Sequence, residues 1–440
     1  MAGLSPIPAF DDLKITFQKS SLIFPSQETQ KRSFFLSNID QIGDYNAPTA
    51  HFFKRNPDLE AENVAKMLKI ALEKVLVHYD FMAGRLKLNN KTGRLEIDCN
   101  AAGAGFVVAS SELLLEEIGP SLVHPNLGYR QLADHNLPSE IDQPLCVFQV
   151  TSFKCGGFAI GMSTNHILLD GVAAKIFLQN LSSQAFGDGR PLPFPPCNNR
   201  RLLAARSPPN VTFPHLEFID LHLPTGEGSR PPNFNCSREE ELRYRIFKMN
   251  ADDIAKLKKK AKDTTVSSFS VAAAVIWRCK AFSGDAKPEK NDTSTLLTVI
   301  DVRHRVKPPL PQSYSGNAIL PIRVSATFKE VESGPFSNVA GKISQGMKGI
   351  SDEYVRSVFD WLEAHRGLPH GDYMVSSWLG LGFEQVEYPW GKPLYSCPIV
   401  HHRKDICWVF RDGIDGGIAA MVALPAEEMI RFEGLFHDFL

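Results

Sequence analysis

Ten of the chain's 30 prolines fall within residues 189–235, "GRPLPFPPCNNRRLLAARSPPNVTFPHLEFIDLHLPTGEGSRPPNFN". Proline fixes φ and carries no amide donor, so neither a long helix nor an interior strand crosses such a stretch. A chain interrupted this way builds its cores on either side, and 440 residues leave each side enough to bury one. The expected division is an N-terminal lobe over 1–195, a crossover linker over 196–235 and a C-terminal lobe over 236–440.

Both sides mix helical and strand periodicity. Residues 63–86 carry the 3.6-residue apolar period of an amphipathic helix, closed by a turn at Ala83-Gly84. "LCVFQVTSFKCGGFAIGMSTNHI" reads as two apolar strands joined at Lys154-Cys155-Gly156-Gly157, the second delivering His166 at its end. Asp170 then stands where a carboxylate caps the helix "VAAKIFLQNLSSQAF". Beyond the linker, "EELRYRIFKMN" alternates as a strand, "ADDIAKLKKKAKD" is a helix with a basic face, and "TVSSFSVAAAVIWRCKAF" is a more buried helix. "TSTLLTVIDVRHR" is a strand, and "PLYSCPIV…ICWVFRDGIDGGIAAMVAL" reads as a hairpin ahead of a C-terminal helix. The fold class is α/β in two similar lobes, without a sequence repeat.

A net charge of −1 gives no field that favours nucleic acid. No run reaches the roughly 20 apolar residues of a membrane span, and "MAGLSPIPAFDDLKITF" lacks the pattern of a secretory signal, so a cytoplasmic location is expected. The eight cysteines are scattered without a C-x-x-C pair or a Cys/His cluster, which argues against zinc and against a disulfide framework. No Walker loop, G-x-G-x-x-G or H-E-x-x-H occurs, and "GMSTN" lacks the second glycine of a nucleophile elbow. No metal and no permanently bound cofactor is expected.

The chemistry centres on His166 and Asp170, four positions apart at a strand-to-helix junction. An imidazole that titrates near neutrality takes a proton from an alcohol or amine and returns it to a leaving group. A buried histidine is more often a satisfied core residue, and Asp170 either orients the ring or caps the helix. His401 and Asp405 repeat the spacing in a charged turn, where a solvated reading suffices.

Three further stretches change that balance. "DVRHRVKPPLPQSYSGN" holds Asp301, Arg303, Arg305, Tyr314, Gly316 and Asn317; "VSSWLGLGFEQVEYPWGKP" holds Ser376, Trp378, Glu387, Trp390 and Gly391; "AGRL" spans Ala83 to Leu86. With His166, Asp170 and Gly171 these motifs resemble, nearly end to end, those of the plant BAHD acyltransferases. The family's second signature, D-F-G-W-G, here reads Glu387-Tyr388-Pro389-Trp390-Gly391.

The resemblance implies a chloramphenicol acetyltransferase-like fold, each lobe a mixed sheet with flanking helices, and a solvent channel between the lobes passing the histidine. It implies acyl-CoA as co-substrate and a small alcohol, or an amine, as acceptor, in a monomer. His166 is then the general base, with Trp378 and Ser376 as donors to the oxyanion. Asp170 and Gly171 are structural, and Glu387 keeps the charge of the family's aspartate, which leaves an ion pair with Arg303 or Arg305 open at the cost of one extra methylene. Ser267 and Ser268 start the helix that lines the coenzyme A tunnel in relatives. Lys256, Lys259 and Lys260, with Lys258 and Lys262, form a basic face able to meet its phosphates or simply to be solvated. Hydroxycinnamoyl-CoA is the favoured donor; the spacing of Arg366 disfavours shikimate as acceptor. The alternatives are N-acylation of an amine, and a noncatalytic relative that assists very-long-chain fatty-acid elongation, to which the altered second signature points.

Overall fold

The computed structural model describes residues 12–118, 127–133, 137, 142–221, 242–262, 266–285, 288–399, 403–412 and 416–440. Contacts divide the chain into two units. The first takes Met1–Ala204, Leu310–Ala318 and Leu381–Val400; the second takes Ala205–Pro309, Ile319–Gly380 and His401–Leu440. The division is not a single cut, because two pieces of the C-terminal half belong to the first unit.

In the first unit six strands form one sheet: β1 (Ile15–Ile23), β3 (Asn46–Phe53), β6 (Ala104–Ser111), β7 (Cys146–Phe153), β8 (Phe158–Asn165) and β15 (Tyr395–Pro398), in the order β1-β6-β7-β8-β3-β15. All pairs are antiparallel except β6 with β7. A second sheet joins β2 (Arg32–Phe35), β4 (Arg85–Asn89) and β5 (Arg94–Cys99) in the order β2-β5-β4. The expected β7–β8 hairpin is present. Every residue of β8 is buried, which is why its first five residues, 158–162, show no alternation of apolar and polar side chains. Helices α1 (Asn38–Gln41), α2 (Ala61–His78), α3 (Leu115–Ile118) and α4 (Gly171–Ala185) belong to this unit. The stripe Val64, Leu68, Leu72 and Val75 on α2 is the buried face that the periodicity predicts. On α4, Phe177 meets Tyr79 edge-on and Phe148 of β7, with ring centroids 5.1 and 5.9 Å apart.

The sequence paired "PLYSCPIV" with the strands after it, and that is corrected: β15 runs antiparallel to β3, with Cys397 opposite Ala50. Cys397 and Ile399 are buried with Phe52, Tyr129 and Leu132, so the segment's apolar residues are spent in the first unit's core. Three strands within residues 15–53 carry no pattern that the sequence reading singled out.

The second unit holds β9 (Phe218–Asp220), β10 (Leu242–Met249), β11 (Thr293–Asp301), β12 (Ile319–Thr327), β13 (Gly367–Pro369), β14 (Tyr373–Ser377), β16 (Ile406–Arg411) and β17 (Ile418–Pro425). Six of them make the sheet β10-β17-β16-β14-β11-β12, and β9 pairs with β13. The hairpin of this half is β16–β17, with Trp408 opposite Met421. Its helices are α5 (Ala251–Lys260), α6 (Ser268–Ser283), α7 (Phe328–Ser333), α8 (Phe336–Lys348), α9 (Asp352–His365) and α10 (Ala426–Phe439). α6 is buried on nearly all sides, from Phe269 to Trp277, at the centre of the apolar core. Ser267 caps it, accepting the Ser270 amide at 3.0 Å.

Within the expected linker, residues 200–203 form one 3₁₀ turn and β9 takes part in pairing; residues 222–235 lie outside the described ones. Each unit is thus a mixed sheet with flanking helices.

Candidate active site

His166 follows β8 directly, and the turn from Asn165 to Asp170 is fastened from four directions. Asn165 Oδ1 accepts the Ile167 amide at 3.0 Å, and its Nδ2 donates to Asp44 at 2.9 Å. The His166 amide donates to the Tyr45 carbonyl at 2.8 Å, extending the β3–β8 ladder by one step. The turn's carbonyls are held as well. Asn317 Nδ2 donates to His166 O at 2.9 Å and to Ile167 O at 3.3 Å, and Arg200 donates to Leu168 O at 2.6 Å. Asp170 caps α4 through Oδ1 to the Ala173 amide at 2.9 Å, while Oδ2 accepts the Ala318 amide at 2.8 Å.

Behind the turn stands a buried ion pair. Arg200 donates to Asp40 Oδ1 at 2.7 Å, both side chains being shut away from solvent. Asp40 also accepts from Ser37 and from Asn317, so its charge is shared among several donors. The guanidinium lies over the rings of Phe34 and Phe81, 5.5 and 5.4 Å from their centroids. It also fixes residue 316: a Cβ there would stand 2.6 Å from Arg200 Cζ, so only glycine fits.

Neither Arg200 nor Asp40 was found from the sequence. Asp40 had a signal, because Ser37-Asn38-Ile39-Asp40 is a capping box that starts α1. Arg200 had none, lying in the proline-rich stretch.

The His166 ring is half-buried. Burial lowers its pKa below the usual histidine value, against the opposing pull of Asp170, its own main chain, Asn317 and Asp40. At neutral pH the ring is therefore in the basic, proton-accepting form. The phenol ring of Tyr45 lies beside it, centroids 5.1 Å apart at 35°. A second buried histidine, His51, contacts Thr49 at 3.2 Å and Ser396 at 2.9 Å, and burial pushes its pKa down to about 4.

The altered signature forms a tight reversal in the first unit. Tyr388 and Gly391 exchange main-chain bonds at 3.1 and 2.9 Å, with Gly391 at φ +108. Pro389 takes a corner position that needs no amide donor. Tyr388 and Trp390 stack at 5.0 Å, and Trp390 sets its edge against Phe53 and Phe158. Glu387 is not the partner that the sequence reading left open for Arg303 or Arg305: its side chain is 70% exposed and pairs with Lys392 at 3.7 Å. Arg303 bonds Asp301 at 3.3 Å, and Arg305 donates to the Ile350 carbonyl at 3.0 Å. The motif's acid has turned to solvent because the aromatic pair, not an ion pair, closes the turn. An open cavity of about 300 Å³ lies beside this reversal, lined by Gln179, Ser182, Phe186, Arg190, Gln385 and Glu387; His166 does not line it.

The remaining sequence candidates sit in the second unit. Ser376 is half-buried on β14, and Trp378 follows the strand's end, its amide donating to the Val409 carbonyl at 2.8 Å. Ser267 is exposed and Ser268 half-buried at the start of α6. Lys259 is exposed, Lys256 faces Asp253 at 3.8 Å, and Lys260 donates to the Phe439 carbonyl at 3.2 Å. Lys258, Lys259 and Lys260 occupy the last turn of α5, where cations also offset the helix dipole. The second His-x-x-x-Asp starts at His401, outside the described residues. Among the described residues no group of three or more His, Cys, Asp or Glu could hold a metal, and no helix is long and apolar enough to cross a membrane.

The fold has a counterpart among solved structures: the crystal structure of vinorine synthase superposes with a TM-score of 0.74, covering 95% of this chain and 96% of that one at 22% identity. The family model described as "Transferase family" matches residues 13–438. "Acyltransferase GLAUCE" of Arabidopsis thaliana is 46% identical over 99% of this chain and 98% of its own length. "Fatty alcohol:caffeoyl-CoA acyltransferase" of the same plant is 31% identical over 96% of this chain and 98% of its own. The chain therefore belongs to the Transferase family, that of the BAHD acyltransferases. It is an acyl-CoA-dependent acyltransferase.

Proposed function

We propose that the protein moves an acyl group, hydroxycinnamoyl by preference, from coenzyme A to the hydroxyl of a small-molecule acceptor, with His166 as general base. The observation that carries this reading is the 166–170 turn, which holds a half-buried, neutral imidazole on rigid backbone with every carbonyl of residues 166–168 bonded. The imidazole takes the acceptor's hydroxyl proton as the oxygen attacks the thioester carbonyl. That attack forms the C–O bond and the tetrahedral intermediate; its collapse re-forms the carbonyl, breaks the C–S bond and expels coenzyme A thiolate, which recovers the proton from the imidazolium. No acyl-enzyme forms. Trp378 and Ser376 are the proposed oxyanion donors. Ser267, Ser268, Lys256 and Lys259 are proposed to meet coenzyme A, and Lys260 less so, since its ammonium is already bonded to Phe439 O. The caffeoyl-CoA and fatty alcohol in a relative's name support the donor and acceptor classes.

The test is thiol release from a panel of acyl-CoA donors with paired acceptors. His166→Ala should cut turnover about 10²–10⁴-fold with the fold unchanged by circular dichroism; wild-type rates in that variant would remove His166 from the reaction. The pH dependence has a definite sign. Activity needs the neutral ring, and burial holds its pKa below the ordinary 6.5, so the acid limb of kcat/KM should lie below pH 6.5. The same reading takes the enzyme as a cytoplasmic monomer, to be checked by cell fractionation and by size-exclusion chromatography.

A further inference from the structure

Tyr45 combines contact with the catalytic turn and exposure to solvent. Its carbonyl is bonded to the His166 amide at 2.8 Å and its ring lies 5.1 Å from the imidazole, yet 52% of the residue is open to solvent. That exposed part of the residue gives a bound molecule access to an aromatic surface beside the base. An acceptor that places its hydroxyl within hydrogen-bond reach of the imidazole brings the carbons next to that hydroxyl within reach of this ring. Ala47, the second residue of β3, is half-buried and has no side chain beyond Cβ to obstruct a group lying over the strand.

The charges around the base narrow the choice. Asp44 is exposed beside Tyr45, and Asp40 and Asp170 lie behind the turn. The nearby guanidinium of Arg200 is paired with Asp40. A carboxylated acceptor would approach a negative neighbourhood. A polyol must give up water at any hydroxyl it turns toward the ring, a cost that an aryl or alkyl group does not bear. An alkylammonium is drawn to Asp44 and to the ring, but it arrives protonated, and an imidazole with a lowered pKa is a poor base for a cation whose own pKa is about 10.4.

The geometry points to Tyr45 as a specificity-determining residue: its exposed ring seats the apolar body of the acceptor while the hydroxyl meets His166. Acceptors with an aryl or long alkyl group near the hydroxyl are thereby selected over small carboxylated or polyhydroxylated ones. This rests on the proposed function, and it adds the acceptor class and the residue that reads it.

The experiment compares wild type, Tyr45→Phe, Tyr45→Leu and Tyr45→Ala, using the acyl-CoA that wild type turns over best. The acceptors are hexadecan-1-ol, 3-phenylpropan-1-ol, shikimate and putrescine. Wild type should prefer the two apolar alcohols. Tyr45→Ala should lower kcat/KM for them about tenfold or more, mainly through KM, and change any shikimate rate less than about threefold. Tyr45→Phe should stay within about twofold of wild type, and Tyr45→Leu should fall between. Tyr45→Leu keeps the apolar bulk and so decides the matter if Tyr45→Ala does not fold. Equal losses on every acceptor, or a wild-type preference for shikimate or putrescine, would overturn the role of Tyr45 and leave the transferase reading standing. Failure of wild type to release thiol with any donor and acceptor would overturn both.

Discussion

The two signature turns of the first unit are built from opposite materials. The turn from His166 to Asp170 is polar and held from afar: its carbonyls meet Arg200 and Asn317, residues 32 and 151 positions from the carbonyls they bond, and Asp40 organises both donors. The turn from Glu387 to Gly391 is apolar and closes on itself through Tyr388 and Gly391, with Trp390 filling the space beside Phe53 and Phe158. A buried polar network fails when one member is lost, since its partners stay buried without their bonds. An exposed acid opposite a lysine contributes little. The second turn can therefore carry glutamate and proline where the family has aspartate and glycine, and the first has no such latitude.

The strongest way to break this comparison is Arg200→Met. It leaves the Asp40 carboxylate buried without its cation and frees the Leu168 carbonyl, and removal of one partner from such a pair costs about 3–5 kcal/mol. Chemical denaturation should show that loss, and turnover should fall with it because the His166 turn loosens. A change below about 1 kcal/mol would mean that the network is not what holds the turn. Trp390→Ala should come close behind, at about 3 kcal/mol, through the cavity it leaves against Phe53 and Phe158. There the loss should appear in stability, with the acid limb of the pH profile unmoved, since Trp390 has no part in setting the His166 pKa.

What could be read from the sequence follows the same divide. Local devices were legible: the β7–β8 hairpin, the Asp170 cap and the α2 stripe all depend on residues a few positions apart. The place of His166, after a strand and before a helix, was legible because a strand end, a short turn and a helix cap lie within one stretch. Arg200 was not, because its role is set by carbonyls and a carboxylate brought to it by folding, and neither periodicity nor spacing encodes that meeting. Glu387 misled for the related reason that an acid in a signature position suggests an arginine, while its exposure is decided by how Tyr388 and Trp390 pack. β15 was assigned to the wrong sheet because an apolar strand does not announce its neighbour.

Gly316→Ala sharpens the comparison at intermediate cost. The added Cβ meets the Arg200 guanidinium, which is pinned by Asp40, Leu168 O and Ser315 O and has little room to yield, so about 1–3 kcal/mol should be lost. In the Arg200→Met background the same change should cost much less, and that non-additivity is the sign that the two residues act through one contact.

Glu387→Gln is the smallest expected effect and the most direct check on the second turn. The carboxylate is mostly exposed, its lysine partner stands 3.7 Å away, and salt screens such a pair, so stability should move by less than about 0.5 kcal/mol. Turnover should stay within about twofold. A large loss of activity with stability intact would show that the acid matters in a way its exposed position does not reveal, and would restore to the second signature the importance its altered spelling takes away. A large loss of stability would instead mean that the reversal depends on charge rather than on Tyr388 and Trp390, and the contrast between the two turns would disappear.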